Sequence, residues 1–344
     1  MTHVAIVGGG LSGLALAERL HIAGVPFSLF EARNRFGGRI LSLDRDGLGV
    51  DMGPSWFWLG QPLMSELITR SGLEVFEQHA LGDALFEDSS GQIQQGRGFA
   101  SMRGSLRVKG GMGAIIAALL ARLPAERLHL GAQVIRVTPN AVHLGQGQSE
   151  LASHIVLTCP PRVAQGLTFD PALTQDQWRA LGNVPTWMAG HAKFQALYEN
   201  AFWRDAGLSG DAVSQRGPLA EIHDSSGSQG ALFGFVGVPA SARRGREKEI
   251  KAAAVAQLVR LFGPEAATPA EVLYKDWSVD PSTAGPGDDV PPQGHPAYGR
   301  PAALHDLWAG RLMFGSTEMA ARNGGLMEGA LESARTLAQE IIHG

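Results

Sequence analysis

The stretch His3-Val4-Ala5-Ile6-Val7-Gly8-Gly9-Gly10-Leu11-Ser12-Gly13-Leu14 stands near the start of the chain and decides its fold. Residues 3–7 are apolar, rich in β-branched side chains and stopped by glycine, the pattern of a buried parallel strand. Residues 11–23 have helical periodicity, with Leu14, Leu16, Ala17 and Leu20 on one face. Residues 25–30 read as a second strand. Gly8, Gly10 and Gly13 therefore form G-x-G-x-x-G at the first turn of a βαβ unit, the spacing that binds a dinucleotide. Gly8 allows the tight exit from the strand. Gly10 removes the Cβ that would block a pyrophosphate, and Gly13 lets the helix lie close to the sheet. The helix N-terminus at Leu11 and Ser12 offers free N–H groups to the phosphates. Glu31 ends the second strand, 18 residues after Gly13. A carboxylate there accepts hydrogen bonds from both ribose hydroxyls and repels a 2′-phosphate.

The rest of the chain sets the frame for this unit. A length of 344 residues with 44% hydrophobic side chains allows two domains with sizeable cores. A net charge of −4 gives no electrostatic case for nucleic acid. The single cysteine, Cys159, excludes an intramolecular disulfide framework and suits a reducing compartment. No leader is recognisable before the first strand, and no apolar run reaches the roughly 20 residues that span a bilayer. A cytoplasmic protein is expected.

The segment after Glu31 separates the possible dinucleotides. Glu31-Ala32-Arg33-x-Arg35-x-Gly37-Gly38-Arg39 resembles the motif that follows the second strand in the FAD-binding amine oxidase superfamily, which includes monoamine, polyamine and L-amino acid oxidases and protoporphyrinogen oxidase. The resemblance implies that Gly37 and Gly38 bring N–H groups to the FAD diphosphate and that Arg39 adds charge near it. Asp51-Met52-Gly53-Pro54-Ser55 resembles the family element that passes the flavin ring, with proline where a second glycine is usual. Arg107 to Gly113 resembles its second Gly-Gly element. The backbone of Val134 matches an adenine contact, and Ile155 to Pro161 matches a strand that ends in Pro-Pro. Lys193, on a strand, matches the lysine that holds a water against flavin N5, and Trp277 matches a tryptophan near the flavin. At the C-terminal end, Gly315 and Glu318 match residues delivered towards the ribityl chain and pyrophosphate. Gly325, Leu326 and Met327 open a last helix, and the resemblance implies that its N-terminus faces the flavin pyrimidine edge. The resemblance covers nearly the whole chain.

The expected fold is α/β: an FAD-binding Rossmann-like domain of the amine oxidase type (1–77, 106–182 and 285–344) interleaved with a smaller substrate domain on a mixed β-sheet (78–105 and 183–284). Helices are expected at 62–71, 112–122 and 247–262, and hairpins at 84–95 and 220–236. Only about thirty residues, 78–105, stand where larger relatives carry a helical lid, so an open cavity is expected. Trp56, Phe57 and Trp58 serve either the core or the cavity wall. Arg243 to Arg246 reads as a solvated helix start, and 280–301, with Asp288 and Asp289, as a solvated loop without a metal.

By resemblance, hydride passes from the carbon beside a neutral amine, or amino acid, to flavin N5. The imine hydrolyses, and O2 reoxidises the flavin to give H2O2. Leu326 occupies the place of one tyrosine of the monoamine oxidase cage. The region 281–286 has neither the second tyrosine nor the flavin-linking cysteine. FAD is therefore expected to be non-covalent; the missing cage argues against a small aryl or alkyl amine and leaves amine oxidation as the expected chemistry with the small-molecule substrate open. A renalase-like NAD(P)H oxidase or a desaturase is the alternative chemistry, and a non-enzymatic redox or partner-binding flavoprotein the alternative class.

Overall fold

The structure is a computed structural model and describes residues 2–96 and 102–343. Residues 97–101 belong to the segment expected to carry the shortened lid and lie outside the described residues. A five-stranded parallel sheet forms one half, in the order Leu312–Phe314, His154–Leu157, Val4–Val7, Phe27–Phe30, Leu128–His129. Val4, Ala5 and Ile6 are fully buried. That burial explains why residues 3–7 read as a continuous apolar run rather than an alternation. The helix Leu11–Ile22 packs against the last helix, Met327–His343. Leu14, Leu16, Ala334 and Leu337 lie in their shared core. A small sheet, Val134–Thr138 with its neighbours Ala141–Leu144, Ser149–Leu151 and Thr168–Phe169, leans on the other face.

The second half is a seven-stranded sheet, ordered Glu271–Asp276, Ala192–Tyr198, Gly230–Val236, Leu219–Asp224, Leu208–Ser214, Asp83–Glu87, Ile93–Gly96. Its pairs are antiparallel except Leu208–Ser214 with Asp83–Glu87, so the sheet is mixed. The helix Glu247–Phe262 covers one face through Ile250, Ala254, Leu258 and Leu261. Elsewhere helices form at Pro62–Arg70 and Gly113–Leu120, within two residues of expectation.

Two stretches differ from their sequence reading. Arg243 is buried, not solvated. Its guanidinium donates twice to Asp276 (2.7 and 2.8 Å) and once to the carbonyl of Gly190 (2.6 Å). The short helix Ala240–Arg243 turns it inward, while Arg244 and Arg246 stay exposed. Asp288 is also buried. It accepts from Arg162 Nη1 (2.8 Å), the Thr186 N–H (2.9 Å) and the Gly285 N–H (3.0 Å), which staples an irregular segment to the body of the protein. A low-periodicity, proline-rich sequence conceals such a staple because its partners are distant in the chain. Among the described residues no group of histidine, cysteine and carboxylate side chains is placed to hold a metal ion, and no helix is long and apolar enough to cross a membrane.

Candidate active site

One cavity of about 660 Å3 runs from the glycine-rich turn to the edge of the seven-stranded sheet. Its first end is built by the opening forty residues. Gly8 leaves the strand at φ +115°, and a Cβ on Gly13 would lie 2.0 Å from the Gly8 carbonyl oxygen. Only glycine fits at that approach of helix to strand. Gly10 lines the cavity, and a Cβ there would meet no atom closer than 3.8 Å. The helix begins at Leu11 with Gly10 as N-cap and no side-chain cap, so its first N–H groups are left for a ligand. Gly10 bridges to Gly37, and the Gly37 N–H donates to the Gly9 carbonyl (2.8 Å), which fastens the second glycine pair beside the first.

Glu31 is buried at this end. It accepts from the Gly9 N–H (2.8 Å) on one oxygen and the Arg33 N–H (2.9 Å) on the other. The second oxygen is also approached by Arg33 Nη1 (3.5 Å), while the oxygen bonded to Gly9 keeps a lone pair for a further donor. Ala32, Arg33, Gly38 and Val134 continue the wall. Arg33 is aimed by Thr283 (2.8 Å) and Asp280.

Three expected residues do not line the cavity. Gly13 is held behind the turn. Gly315 packs beneath the last helix, where a Cβ would meet Leu337 at 2.4 Å, and its carbonyl accepts from the Ser12 hydroxyl. Glu318 is fully buried and gives both oxygens to Arg39 (2.7 and 3.1 Å). Burial works against the Arg39 charge, but Glu318 outweighs it and the guanidinium is held above its ordinary pKa. Glu318 thus reaches the cavity only through Arg39.

The other end is assembled from distant segments. Residues 52–55 pass along it and offer carbonyls: Trp277 Nε1 donates to Met52 (2.9 Å) and Lys193 Nζ to Gly53 (3.0 Å). The Pro54 N–H that is missing is therefore not one these contacts use. Lys193 is 4% exposed and donates also to Ser55 Oγ (2.6 Å), with its ammonium 4.0 Å from the centre of the Phe233 ring. Burial pulls its pKa down to about 7, against the field of Asp51 and with that of Arg107. Asp51 is buried, and its own pKa is raised chiefly by burial. Trp56 and Trp58 line the cavity while Phe57 between them is core, so the aromatic triplet divides by alternation.

Leu326 and Met327 bring the start of the last helix to the wall. The next residue, Glu328, accepts from the Leu63 and Met64 N–H groups (3.0 and 2.8 Å), which ties that helix to Pro62–Arg70. Around Gly325, Trp187 and Tyr298 approach within 3.0 Å of where a Cβ would be, and the Trp187 and His295 rings lie 4.7 Å apart. Trp187, His191, Phe235 and His295 line this end and were not singled out by sequence. Phe235 sits in the apolar strand Gly230–Val236, which gives no sign of the side chains that face the cavity; His191 directly precedes the strand Ala192–Tyr198, and Trp187 and His295 stand in aperiodic segments. Among the described residues the His191 Nδ1 is buried without a hydrogen-bond partner, and burial and Arg243 lower the pKa of its ring.

A cavity with a glycine cradle, an uncapped helix N-terminus, a buried carboxylate and a separate aromatic end fits FAD. A family model for flavin-containing amine oxidoreductases matches residues 11–93 and 80–342. The chain belongs to this family. It is accordingly an FAD-dependent oxidoreductase of the amine oxidase type. Among its relatives, flavin-containing amine oxidase B of Bos taurus is 23% identical, with 99% of this chain and 86% of that protein covered. Putrescine oxidase of Kocuria rosea is 22% identical, with 98% and 95% covered. Cyclohexylamine oxidase from Brevibacterium oxydans has a similar fold, with a TM-score of 0.84 and 20% identity over 99% of each chain.

Proposed function

We propose that this oxidoreductase acts on an amine with one charged nitrogen and an apolar or aromatic body. The observation that carries this reading is the charge of the cavity lining. Among the described residues, Glu31 is its only carboxylate, and it stands at the nucleotide end with both oxygens engaged. Residues 97–101 contain no acidic side chain. At the other end stand Trp56, Trp187, His191, Phe235, His295 and Leu326. A second ammonium would be desolvated there without a partner. Diamines and polyamines are thus disfavoured.

When bound, FAD supplies the chemistry: it accepts hydride from the carbon beside a neutral amine and passes electrons to O2, giving H2O2. Gly8, Gly10, Leu11, Ser12, Glu31, Ala32, Arg33, Gly37, Gly38, Arg39 and Val134 would hold its nucleotide and phosphates. Met52, Gly53, Gly325, Leu326 and Met327 would border the ring system. Lys193 and Trp277 are the residues assigned to the reacting end. Low dielectric and the neighbouring Arg107 favour a neutral Lys193 amine at pH 7 and above, able to accept a proton or orient a water. Trp277 is fixed by its bond to Met52 and keeps the ring plane constant. The aromatic walls exclude water and favour the uncharged amine.

The separate cores of the two halves support a division into a cofactor domain and a substrate domain near 77/78, 105/106, 182/183 and 284/285. Non-covalent FAD is supported by the chemistry of Cys159. It lines the cavity, but burial pushes its thiol up to about 12, so it is no nucleophile at neutral pH. Acid precipitation is expected to release all flavin as FAD; colour in the washed precipitate would refute this.

The test of the substrate class is anaerobic bleaching of the flavin band, followed by peroxide release in air. Benzylamine and cyclohexylamine are expected to bleach it faster than putrescine and spermidine. Preference for the diamines would overturn the reading, and bleaching by NADH alone would replace the amine oxidase chemistry.

A further inference from the structure

A second cavity, of about 440 Å3, shares no lining residue with the first. It lies between the loop Gly47–Gly49, the segment Arg107–Gly111 and residues 226–228, with Phe76, Glu77, His79 and Arg204 completing the wall. Arg107 lines it and is 5% exposed. Its guanidinium donates to the carbonyls of Ser225 (3.0 Å) and Ser226 (3.1 Å) and lies 5.2 Å from the centre of the Phe76 ring. These bonds use two of its five N–H groups and neutralise none of its charge. Among the described residues no carboxylate stands within ion-pairing distance of it. Asp51 and Asp224 offset its charge only from beyond that distance, and a buried guanidinium with no directly paired counter-ion is costly, because arginine does not shed its charge at ordinary pH.

The other charges of the lining are paired or opposed, which leaves Arg107 as the exception. Arg204 also faces the cavity, but Asp224 neutralises it through two bonds, of 2.8 and 2.9 Å. Lys109 stands at the exposed rim, paired with Glu74 at 2.8 Å. The His79 Nε2 is buried and has no hydrogen-bond partner among the described residues. Gly110 and Gly111 (both φ +81°) carry the main chain along the wall without side chains, and a Cβ on Gly110 would meet nothing within 4 Å. Glu77, exposed, is the only carboxylate among the described lining residues.

We propose that this second cavity binds a small oxyanion, a carboxylate or phosphate group, with the Arg107 fork as its anchor and His79 as a second donor. The planar guanidinium suits two parallel bonds to such a group. None of these residues lines the flavin cavity, but the charge of Arg107 also bears on Lys193, so the test reads anion binding rather than turnover.

The experiment uses FAD-saturated protein. Its unfolding midpoint and its visible spectrum are followed during titration with sodium phosphate, sodium acetate and sodium chloride at matched ionic strength. Phosphate or acetate is expected to raise the midpoint with a saturable dependence that chloride does not reproduce, without change in the flavin band. The stronger of the two identifies the head group. Arg107→Met should abolish the saturable response. Arg107→Lys, which keeps the charge and loses the fork, should weaken the affinity about tenfold or more and guards against a misfolded methionine variant. Equal responses to all three salts would overturn the proposal. So would wild-type affinity in either variant, or a response that perturbs the flavin band and survives Arg107→Met, which would put the anion in the flavin cavity.

Discussion

The two ends of the main cavity are built in opposite ways. The nucleotide end is almost wholly contained in Gly8 to Arg39, and its contacts run through the main chain: Gly37 to Gly9, Glu31 to Gly9, an uncapped helix start. The reacting end draws Trp56, Trp187, Lys193, Phe235, Trp277, His295 and Leu326 from separate stretches and relies on side chains. Backbone recognition of a fixed ligand needs short, local geometry, which glycine spacing encodes. A substrate pocket needs shape and polarity, which many sequences can supply. If this contrast is right, lesions at the first end change cofactor retention, and lesions at the second change turnover.

The largest effect is expected for Lys193→Met. The methionine keeps most of the buried stem, so folding, FAD retention and the visible spectrum should stay near wild type. Turnover should fall about 10²–10³-fold, the scale for removing one preorganised polar group at a reacting centre. Flavin reduction and reoxidation, measured separately by rapid mixing, check this. If both half-reactions are unchanged, Lys193 merely fills its place, and the contrast between the two ends fails.

Glu31→Ala should give the mirror image. Losing charge-assisted bonds to a ribose is expected to cost roughly 1.5–3 kcal/mol of FAD affinity, about ten- to a hundredfold. The rate of fully reconstituted enzyme should hardly move. Because Glu31 also ties down the N–H groups of Gly9 and Arg33, part of the loss arises from the turn itself. Glu31→Gln, which keeps an acceptor for one of them, should lose less than alanine. Retention of FAD on dilution by Glu31→Ala would remove the ribose assignment.

The same contrast decides what could be read from the sequence. The G-x-G-x-x-G turn and Glu31 were legible because each residue answers a local steric or charge requirement, whereas the second glycine pair was legible through resemblance. Lys193 was legible only through resemblance; alternation along Ala192–Tyr198 allowed an inward lysine but did not demand one. The Arg39–Glu318 pair spans most of the chain, and neither residue carries a local sign of the other. Trp187 and His295 gather beside Gly325 through loops that have no periodicity. Asp288 was read as solvated for the same reason: its donors, Arg162 and Thr186, are more than a hundred residues away.

The smallest expected effect sharpens the contrast most, because it tests the charge state of Lys193 without any substrate. Its pKa is about 7 in the folded protein, lowered mainly by burial, against an ordinary value of 10.5. Between these values the unfolded chain holds a proton that the folded chain has lost, so stability contributed through this group rises with pH. Below pH 7 both states are charged and the full cost of burying the ammonium is present; above about pH 10.5 both are neutral and it is gone. Lys193→Met has no such term, and its lost bonds to Gly53 and Ser55 add a constant. Relative to wild type, the methionine variant should therefore be most stable at pH 6–7 and lose ground steadily towards pH 10. Relaxation and water entry reduce the ideal slope, leaving a change on the order of 1 kcal/mol between pH 7 and 9. Paired denaturant titrations at several pH values measure it, since other titrating groups cancel between the two proteins. A difference that stays flat over this range would mean that Lys193 remains charged beside the flavin, and the neutral-amine role assigned to it would have to be given up.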